Sequence, residues 1–156
     1  MRNLLAIVQL CFLPSVAMSQ DAKTDWPPGS AMHTGLGLVE KRDYFAGLLE
    51  KKNAELVELV VRDRKFPDDR LAKALQAQHA SWLLHRVAEC ELVGSLSGAG
   101  GSWPSTYAVQ CEANLTDLRF RTVSSAIRCI QRIPVAQREF EQNRCLYQLA
   151  PLTFGK

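Results

Sequence analysis

The sequence has no apolar run long enough to cross a bilayer, since a helical span takes about 20 apolar residues. Its longest such run, residues 4–13, is interrupted only by Gln9. An excess of one charge is also lacking, because the formal net charge of +3 at pH 7 is too small to indicate a nucleic-acid partner. Neither β-type alternation nor an internal repeat is present. We therefore expect no membrane span, no nucleic-acid partner and no β-sheet.

Motifs of catalysis and cofactor binding are also missing. There is no Cys-x-x-Cys pair, no Cys/His cluster with zinc spacing and no nucleophile elbow. His79 and His85 are six residues apart and do not share a helical face, and Glu89 and Glu91 point to different faces. The glycine-rich residues 98–102 follow a helix and lack the lysine of a phosphate-binding loop. We therefore expect no enzymatic activity, no cofactor and no metal site.

The first 19 residues have the pattern of a cleaved secretory signal. Arg2 supplies positive charge, residues 4–13 form the apolar region, and Ala17 and Ser19 occupy the −3 and −1 positions of a cleavage site. Cys11 follows Leu10 rather than a small residue, which argues against lipidation, so Cys11 should leave with the leader. We expect residues 1–19 to be a signal peptide and the mature chain to be periplasmic or secreted.

Four cysteines remain in the body of the chain. In an oxidising compartment they predict two disulfides, each contributing about 3 kcal/mol of stability for loops of this size. Four cysteines allow three pairings, and sequence alone does not choose among them. Pairing between neighbours is the simplest arrangement, because each helical hairpin brings its own two sulfurs together. The neighbours are Cys90 with Cys111 and Cys129 with Cys145.

Apolar spacing predicts an all-α fold, a small antiparallel bundle of about four helices stapled by two disulfides. Turn residues around Trp26 predict that residues 20–37 form a flexible arm before a helical domain at 38–156. The predicted helices span residues 39–64, 69–92, 103–133 and 135–149. A glycine-rich loop at 94–102 separates the second helix from the third.

The second predicted helix carries one continuous stripe at steps of three and four residues, which places its members on one face. The members are Leu71, Leu75, Gln78, Trp82, Arg86 and Cys90. Trp82 and Arg86 have two interpretations. Either they support the core, with the arginine stem covering the ring, or they form an exposed binding hot spot. Continuity of the stripe with Leu71 and Leu75 favours the structural role.

One pattern in the chain resembles the exported LprI-type domain, a family named for a lysozyme-inhibitor lipoprotein. The matching residues lie within 71–121: Leu75, Gln78, Trp82, Arg86, Cys90, Gly100, Gly101, Ser102, Cys111, Thr116 and Arg119. The resemblance implies a helical envelope domain with Cys90 bonded to Cys111, in which Gln78, Trp82, Arg86, Thr116 and Arg119 are structural. Family members often carry a cysteine pair upstream of the tryptophan, whereas this chain has Cys129 and Cys145 downstream.

The resemblance predicts an exported, non-enzymatic binding protein whose partner is a lysozyme or another envelope protein. A protruding loop would enter the glycosidase cleft, and acidic neighbours, including Asp117, would favour a basic enzyme. The candidate binding residues are Ser95, Gly100, Gly101, Ser102, Trp103, Glu89, Glu91 and Glu112.

Two other functions remain open from the sequence. The first is a structural or envelope-stress protein whose basic end, residues 119–156, binds anionic cell-wall polymer or an acidic partner. The basic residues there are Arg119, Arg121, Arg128, Arg132, Arg138, Arg144 and Lys156. The second is an immunity protein against an exported toxin. The sequence does not specify the oligomeric state.

Overall fold

The computed structural model describes residues 25–62 and 69–149. These residues form α1 (Ala31–Arg62), α2 (Arg70–Leu96), α3 (Trp103–Gln131), α4 (Val135–Glu141), α5 (Asn143–Leu146) and a 3-10 turn (Tyr147–Leu149). No strand occurs in this part of the chain, so the all-α prediction is confirmed. The predicted signal peptide at 1–19, including Cys11, and Lys156 lie outside the described residues.

The three long helices form an up-down-up bundle in which α2 runs antiparallel to α1 and α3. The start of α1 meets the start of α3, where the Thr106 hydroxyl donates to the Ala31 carbonyl at 2.9 Å. Gly94, near the end of α2, packs against Pro104 at the start of α3. The helices α1 and α3 are therefore parallel neighbours, while α5 and the 3-10 turn also contact α3.

The apolar core lies at the end of the bundle where α1 and α3 finish. The C-terminal turns cover this end, and burial of each large aliphatic side chain there contributes about 1.5–3 kcal/mol. Leu49, Leu56, Leu59 and Val60 come from α1, Val123, Ala126, Ile127 and Ile130 from α3, and Ile133, Cys145, Leu146 and Leu149 from the chain that follows.

Helix α1 starts eight residues before the predicted start at 39, so residues 31–37 of the predicted arm are helical. The backbone N–H of His33 donates to Ser30 Oγ at 3.2 Å, which is the hydrogen bond of a helix N-cap. A Cβ added at Gly35 would lie 3.3 Å from Thr106 Oγ1. The early start therefore depends on a cap and on close packing against α3, and glycine allows that approach at the expense of helix propensity.

Helix α2 continues past Gly94 to Leu96, so the predicted loop at 94–102 is shortened to residues 97–102. A Cβ at Gly94 would lie 2.5 Å from the carbonyl oxygen of Pro104. Gly94 therefore allows α2 and α3 to touch and does not end the helix. The chain reverses instead at Gly98 and Gly101, which have φ values of 64° and 63°, a region that L-residues other than glycine seldom adopt.

The fourth predicted helix, 135–149, is divided into α4, α5 and the 3-10 turn. Division lets the chain bend back so that Cys145 reaches Cys129 while Leu146 and Leu149 enter the core. Phe140, an apolar residue of this segment, is 76% exposed. Leu118 on α3 is likewise 61% exposed. Periodicity alone overestimated the apolar contacts of these two helices.

The pairing of neighbouring cysteines is confirmed. Cys90 bonds to Cys111 with their Cα atoms 5.4 Å apart, and Cys129 bonds to Cys145 with a Cα separation of 5.6 Å. Both separations lie in the usual range for disulfides. The first bond joins α2 to the start of α3, and the second joins the end of α3 to α5.

Candidate partner-binding site

Trp82 is the centre of a layered cluster between α2 and α3. The guanidinium carbons of Arg86 and Arg119 lie 5.5 Å and 5.6 Å from the ring centroid, within the range of cation–π attraction. The His79 ring stacks on Trp82 with an interplanar angle of 15°. Trp82 is partly buried and packs against the apolar core. Its polar neighbours therefore enclose a ring that also touches the aliphatic interior.

Arg86 connects this cluster to a buried ionic group. Its Nη1 donates to Thr116 Oγ1 at 2.8 Å, and its Nη2 lies 3.6 Å from the Glu112 carboxylate. The same carboxylate accepts from Arg42 Nη1 at 3.4 Å. Thr116 also donates to the Glu112 carbonyl at 2.6 Å. One acidic side chain on α3 thus holds cations from both α1 and α2.

This arrangement removes Glu112 from the exposed acidic patch that the sequence predicted. Glu112 is only 9% exposed, and its charge is directed inward to Arg42 and Arg86. The pKa of Arg42 is raised, chiefly by its hydrogen bond to Asp43, and Glu112 adds to the effect. The sequence could not reveal this burial, because Arg42 is 70 positions away along the chain.

Arg119 connects the Trp82 cluster to the C-terminal turn. Its Nη1 donates to the Leu149 carbonyl at 3.0 Å, and its Nη2 donates to the side-chain oxygen of Gln78. Both partners are neutral, and burial lowers the pKa of Arg119 from its usual value. The five residues that the family resemblance marks as structural, Gln78, Trp82, Arg86, Thr116 and Arg119, therefore form one continuous cluster.

The turn between α2 and α3 is the surface that the sequence selected for partner binding. Gly100, Gly101 and Ser102 are exposed there, while the Trp103 ring is half-buried with its centroid 5.8 Å from that of Tyr107. Ser95 lies in the last turn of α2, where its hydroxyl donates to the Glu91 carbonyl at 2.9 Å. The structure thus brings the predicted loop residues together at one end of the bundle.

Apolar side chains surround this turn and face outward. Leu92, Val93, Leu96 and Tyr107 are all exposed, with Leu96 75% exposed. We call these four residues, together with residues 97–102, the tip surface. An open groove of about 600 Å³ runs along it between α2 and α3, and its walls include Val93, Leu96, Tyr107 and Asn114. Contiguous exposed apolar surface of this kind commonly marks an interaction site.

Charge is absent from the tip. No Asp, Glu, Lys or Arg occurs at residues 92–111. This long neutral stretch is visible in the sequence, but the candidate binding residues predicted from the sequence include neither Leu92 nor Leu96. Depletion of charge is typical of the centre of protein–protein interfaces.

The acidic border of the tip is smaller than predicted. Glu91 is exposed, and so is Glu89, whose carboxylate lies 3.4 Å from His85 Nε2. Asp117 instead pairs with Arg121 through contacts of 2.9 Å and 3.0 Å. The hydrogen bond from Arg121 lowers the pKa of Asp117. Only Glu89 and Glu91, of the four acidic residues proposed for this patch, are exposed without an arginine partner.

The predicted basic surface is also reduced. Arg119 is buried, and Arg121 and Arg144 pair with Asp117 and Glu141. Arg138 donates to the Ile133 carbonyl at 2.9 Å. Arg128 and Arg132 are the other described basic residues of this segment, and both are exposed. These two side chains alone provide much less local charge than the sequence count suggested.

Across residues 25–62 and 69–149, no helix combines the length and apolarity needed to cross a membrane. The same residues contain no group of three His, Cys, Asp or Glu side chains placed to hold a metal ion. Neither a protein-family model, nor a curated protein sequence, nor a solved structure matches this chain.

Proposed function

We propose that this protein is an exported, non-enzymatic binding protein that engages a protein partner through the tip surface. The observation that carries the proposal is the exposed apolar groove beside the Cys90–Cys111 disulfide. A buried apolar centre with little charge is the composition that stable interfaces use. The two disulfides support export through the proposed signal peptide at residues 1–19, because such bonds persist mainly in oxidising compartments.

The tip is suited to a concave partner. The disulfide holds α2 to α3 about two helical turns before the chain reverses. Ordering the reversal on binding should therefore lose little conformational entropy. Glycines at 98, 100 and 101 keep the turn narrow, and the leucines beside it provide area to bury. A narrow apolar end enters a cleft more readily than the broad face of a helix does.

A lysozyme is the first partner to test, because the motif resembles that of LprI-type inhibitors. The tip would occupy the cleft that otherwise holds the polysaccharide. Glu89 and Glu91 would attract a basic enzyme locally, although the chain as a whole is weakly positive. We therefore expect association to be steered only at low salt, with apolar burial supplying most of the affinity.

The test is inhibition of c-type lysozyme by wild-type protein and by two matched variants. Leu96→Asp places a charge on the tip, and we expect inhibition to weaken by about tenfold or more, since a buried unpaired charge costs over 1.4 kcal/mol. Leu84→Asp is the control, because Leu84 lies on the same helix with almost the same exposure, 77% against 75%. Thermal melting should be similar for both variants.

Two outcomes would count against the proposal in different ways. If wild-type protein at micromolar concentration leaves lysozyme fully active at low salt, lysozyme is not the partner. If lysozyme is inhibited but the Leu84 and Leu96 variants behave alike, the tip is not the binding surface.

A second candidate function is attachment to anionic cell-wall polymer, and the exposure of Arg128 and Arg132 supports it. Sedimentation with cell-wall polymer at low and high salt tests this alternative. Wild-type protein should sediment at low salt, and Arg128→Gln combined with Arg132→Gln should abolish sedimentation if those residues carry the binding. The Leu96→Asp variant should sediment like the wild type.

A further inference from the structure

A second cavity lies at the opposite end of α2 from the tip surface. It has a volume of about 300 Å³ and opens between the start of α2 and the C-terminal turns. Its walls are largely aliphatic and include Leu71, Leu75, Leu146 and Leu149. Gln78 also lines it, and the volume matches the lower limit of small-molecule pockets in proteins.

A buried positive charge lies directly behind this wall. Arg119 is 8% exposed and donates to the Gln78 side chain and the Leu149 carbonyl, both of which belong to pocket residues. Its Nε is buried and has no hydrogen-bond partner. Among the residues that the structure describes, no carboxylate forms an ion pair with Arg119. Burying a cation with only neutral partners is unfavourable, so an anion beside it would be stabilised.

Gln78 extends the preference of Arg119 for an anion to the cavity. All hydrogen-bonding groups of an arginine are donors, so the side-chain oxygen of Gln78 must face Arg119. The amide nitrogen of Gln78 therefore keeps its two N–H groups for another acceptor, and the neighbouring guanidinium polarises them. The cavity thus combines aliphatic walls with one strengthened donor at the Gln78 position.

From this geometry we infer that the cavity binds a small amphiphile with an aliphatic body and a carboxylate head. The body would contact Leu71, Leu75 and Leu146, and the head would accept from the Gln78 amide within the field of Arg119. A medium-chain fatty acid has this chemistry. The inference does not depend on the tip surface or on any partner bound there.

The binding test uses decanoate as probe and decan-1-ol as the neutral control, measured by titration calorimetry on protein with both disulfides intact. We expect one decanoate per chain with a Kd on the order of 100 µM. Decan-1-ol should bind roughly tenfold more weakly, since it exchanges a charge-assisted hydrogen bond for a neutral one. Absence of saturable binding at millimolar decanoate, or equal affinity for the two probes, would overturn the inference.

Two pairs of measurements on variants locate the site. Gln78→Glu places a carboxylate beside Arg119, so decanoate binding should weaken more than about tenfold. Decan-1-ol should weaken much less, because its hydroxyl can donate to the new carboxylate. Ala74→Phe fills the cavity wall and should weaken both probes, whereas Ala77→Phe, outside the cavity lining, should weaken neither. Wild-type decanoate affinity in Gln78→Glu or Ala74→Phe would place the binding elsewhere and refute the assignment.

Discussion

The two ends of this bundle are held together by different means. At the closed end, aliphatic side chains such as Leu56 and Ile130 fill the space between α1, α3 and the C-terminal turns. Toward the tip, the same long helices are joined by the Cys90–Cys111 bond and by the carboxylate of Glu112 between two arginines. Apolar residues near the tip, such as Leu96, face solvent instead of the interior.

This difference assigns stabilisation of the fold to the closed end and leaves the tip surface for the proposed binding of a partner. Nondirectional burial at the closed end supplies most of the folding free energy, and it tolerates small shifts in helix position. Ion pairs and a disulfide have narrow geometric requirements, so they set the spacing of α2 and α3 with little apolar area. Leucines near the tip are therefore not needed for the core, and they remain available for a partner.

The largest expected effect comes from removing a side chain at the closed end. Leu56 is almost fully buried in the core, so Leu56→Ala should lower the free energy of unfolding by about 3–5 kcal/mol through lost burial and a cavity. Leu84→Ala, at an exposed position, should change it little. Denaturant unfolding measures both variants. Equal losses of stability in the two variants would show that exposed apolar residues support the fold as much as the packed core does, which contradicts the division made here.

Removing the disulfide near the tip should have the second largest effect. The variant Cys90→Ala with Cys111→Ala should lose about 3 kcal/mol, the amount expected for a loop of this length. The Cys129–Cys145 bond closes a loop of similar length, so the variant Cys129→Ala with Cys145→Ala should lose a similar amount of stability. Partner binding distinguishes the two variants, because only loss of the first bond should impair the tip at temperatures where both are folded. Equal impairment would show that the tip depends on the whole bundle.

Sequence reasoning located the apolar and covalent parts of this architecture well. The stripe from Leu71 to Cys90 on α2 was readable because its steps of three and four residues are a local geometric consequence of the helix. Pairing of Cys90 with Cys111 followed the same logic, since a hairpin brings sequence neighbours together. These features depend on residues close in the chain, which is why pattern alone could identify them.

What sequence reasoning missed depends on distant residues. The burial of Glu112 requires Arg42 from α1, and the helical start at Ala31 requires Thr106 from α3. Gly94 looked like a helix end, yet it serves a contact with Pro104 that no local pattern reveals. The sequence therefore predicted Glu112 at the surface around the turn, where the structure buries it, and did not include the exposed leucines there, such as Leu96, among the candidate residues.

The third effect concerns the buried ionic group. Glu112→Gln keeps the shape of the side chain but leaves Arg42 and Arg86 without their shared carboxylate, so stability should fall by about 1–3 kcal/mol. Glu89→Gln is the matched control, because Glu89 is exposed. Thermal and denaturant unfolding compare the two. If Glu89→Gln were the more damaging change, the acidic charge near the tip would act on the surface and not between the helices.

The smallest effect belongs to the exposed pair of Asp117 and Arg121, on the outer face of α3. Arg121 donates to the Asp117 carboxylate through two contacts, which lowers the pKa of Asp117 below its reference value of 3.8. A folded-state pKa below the unfolded one means that the pair stabilises the protein above the unfolded pKa. That contribution is then lost as pH falls through the lower folded value. Carboxyl NMR titration should show a low pKa that Arg121→Gln moves back toward 3.8. Because solvent screens the pair, the substitution should hardly alter thermal melting at neutral pH. If Arg121→Gln destabilised the protein as much as Glu112→Gln does, the surface ion pair would also hold the helices together. The buried ionic group would then not differ in its contribution from the charged surface around it.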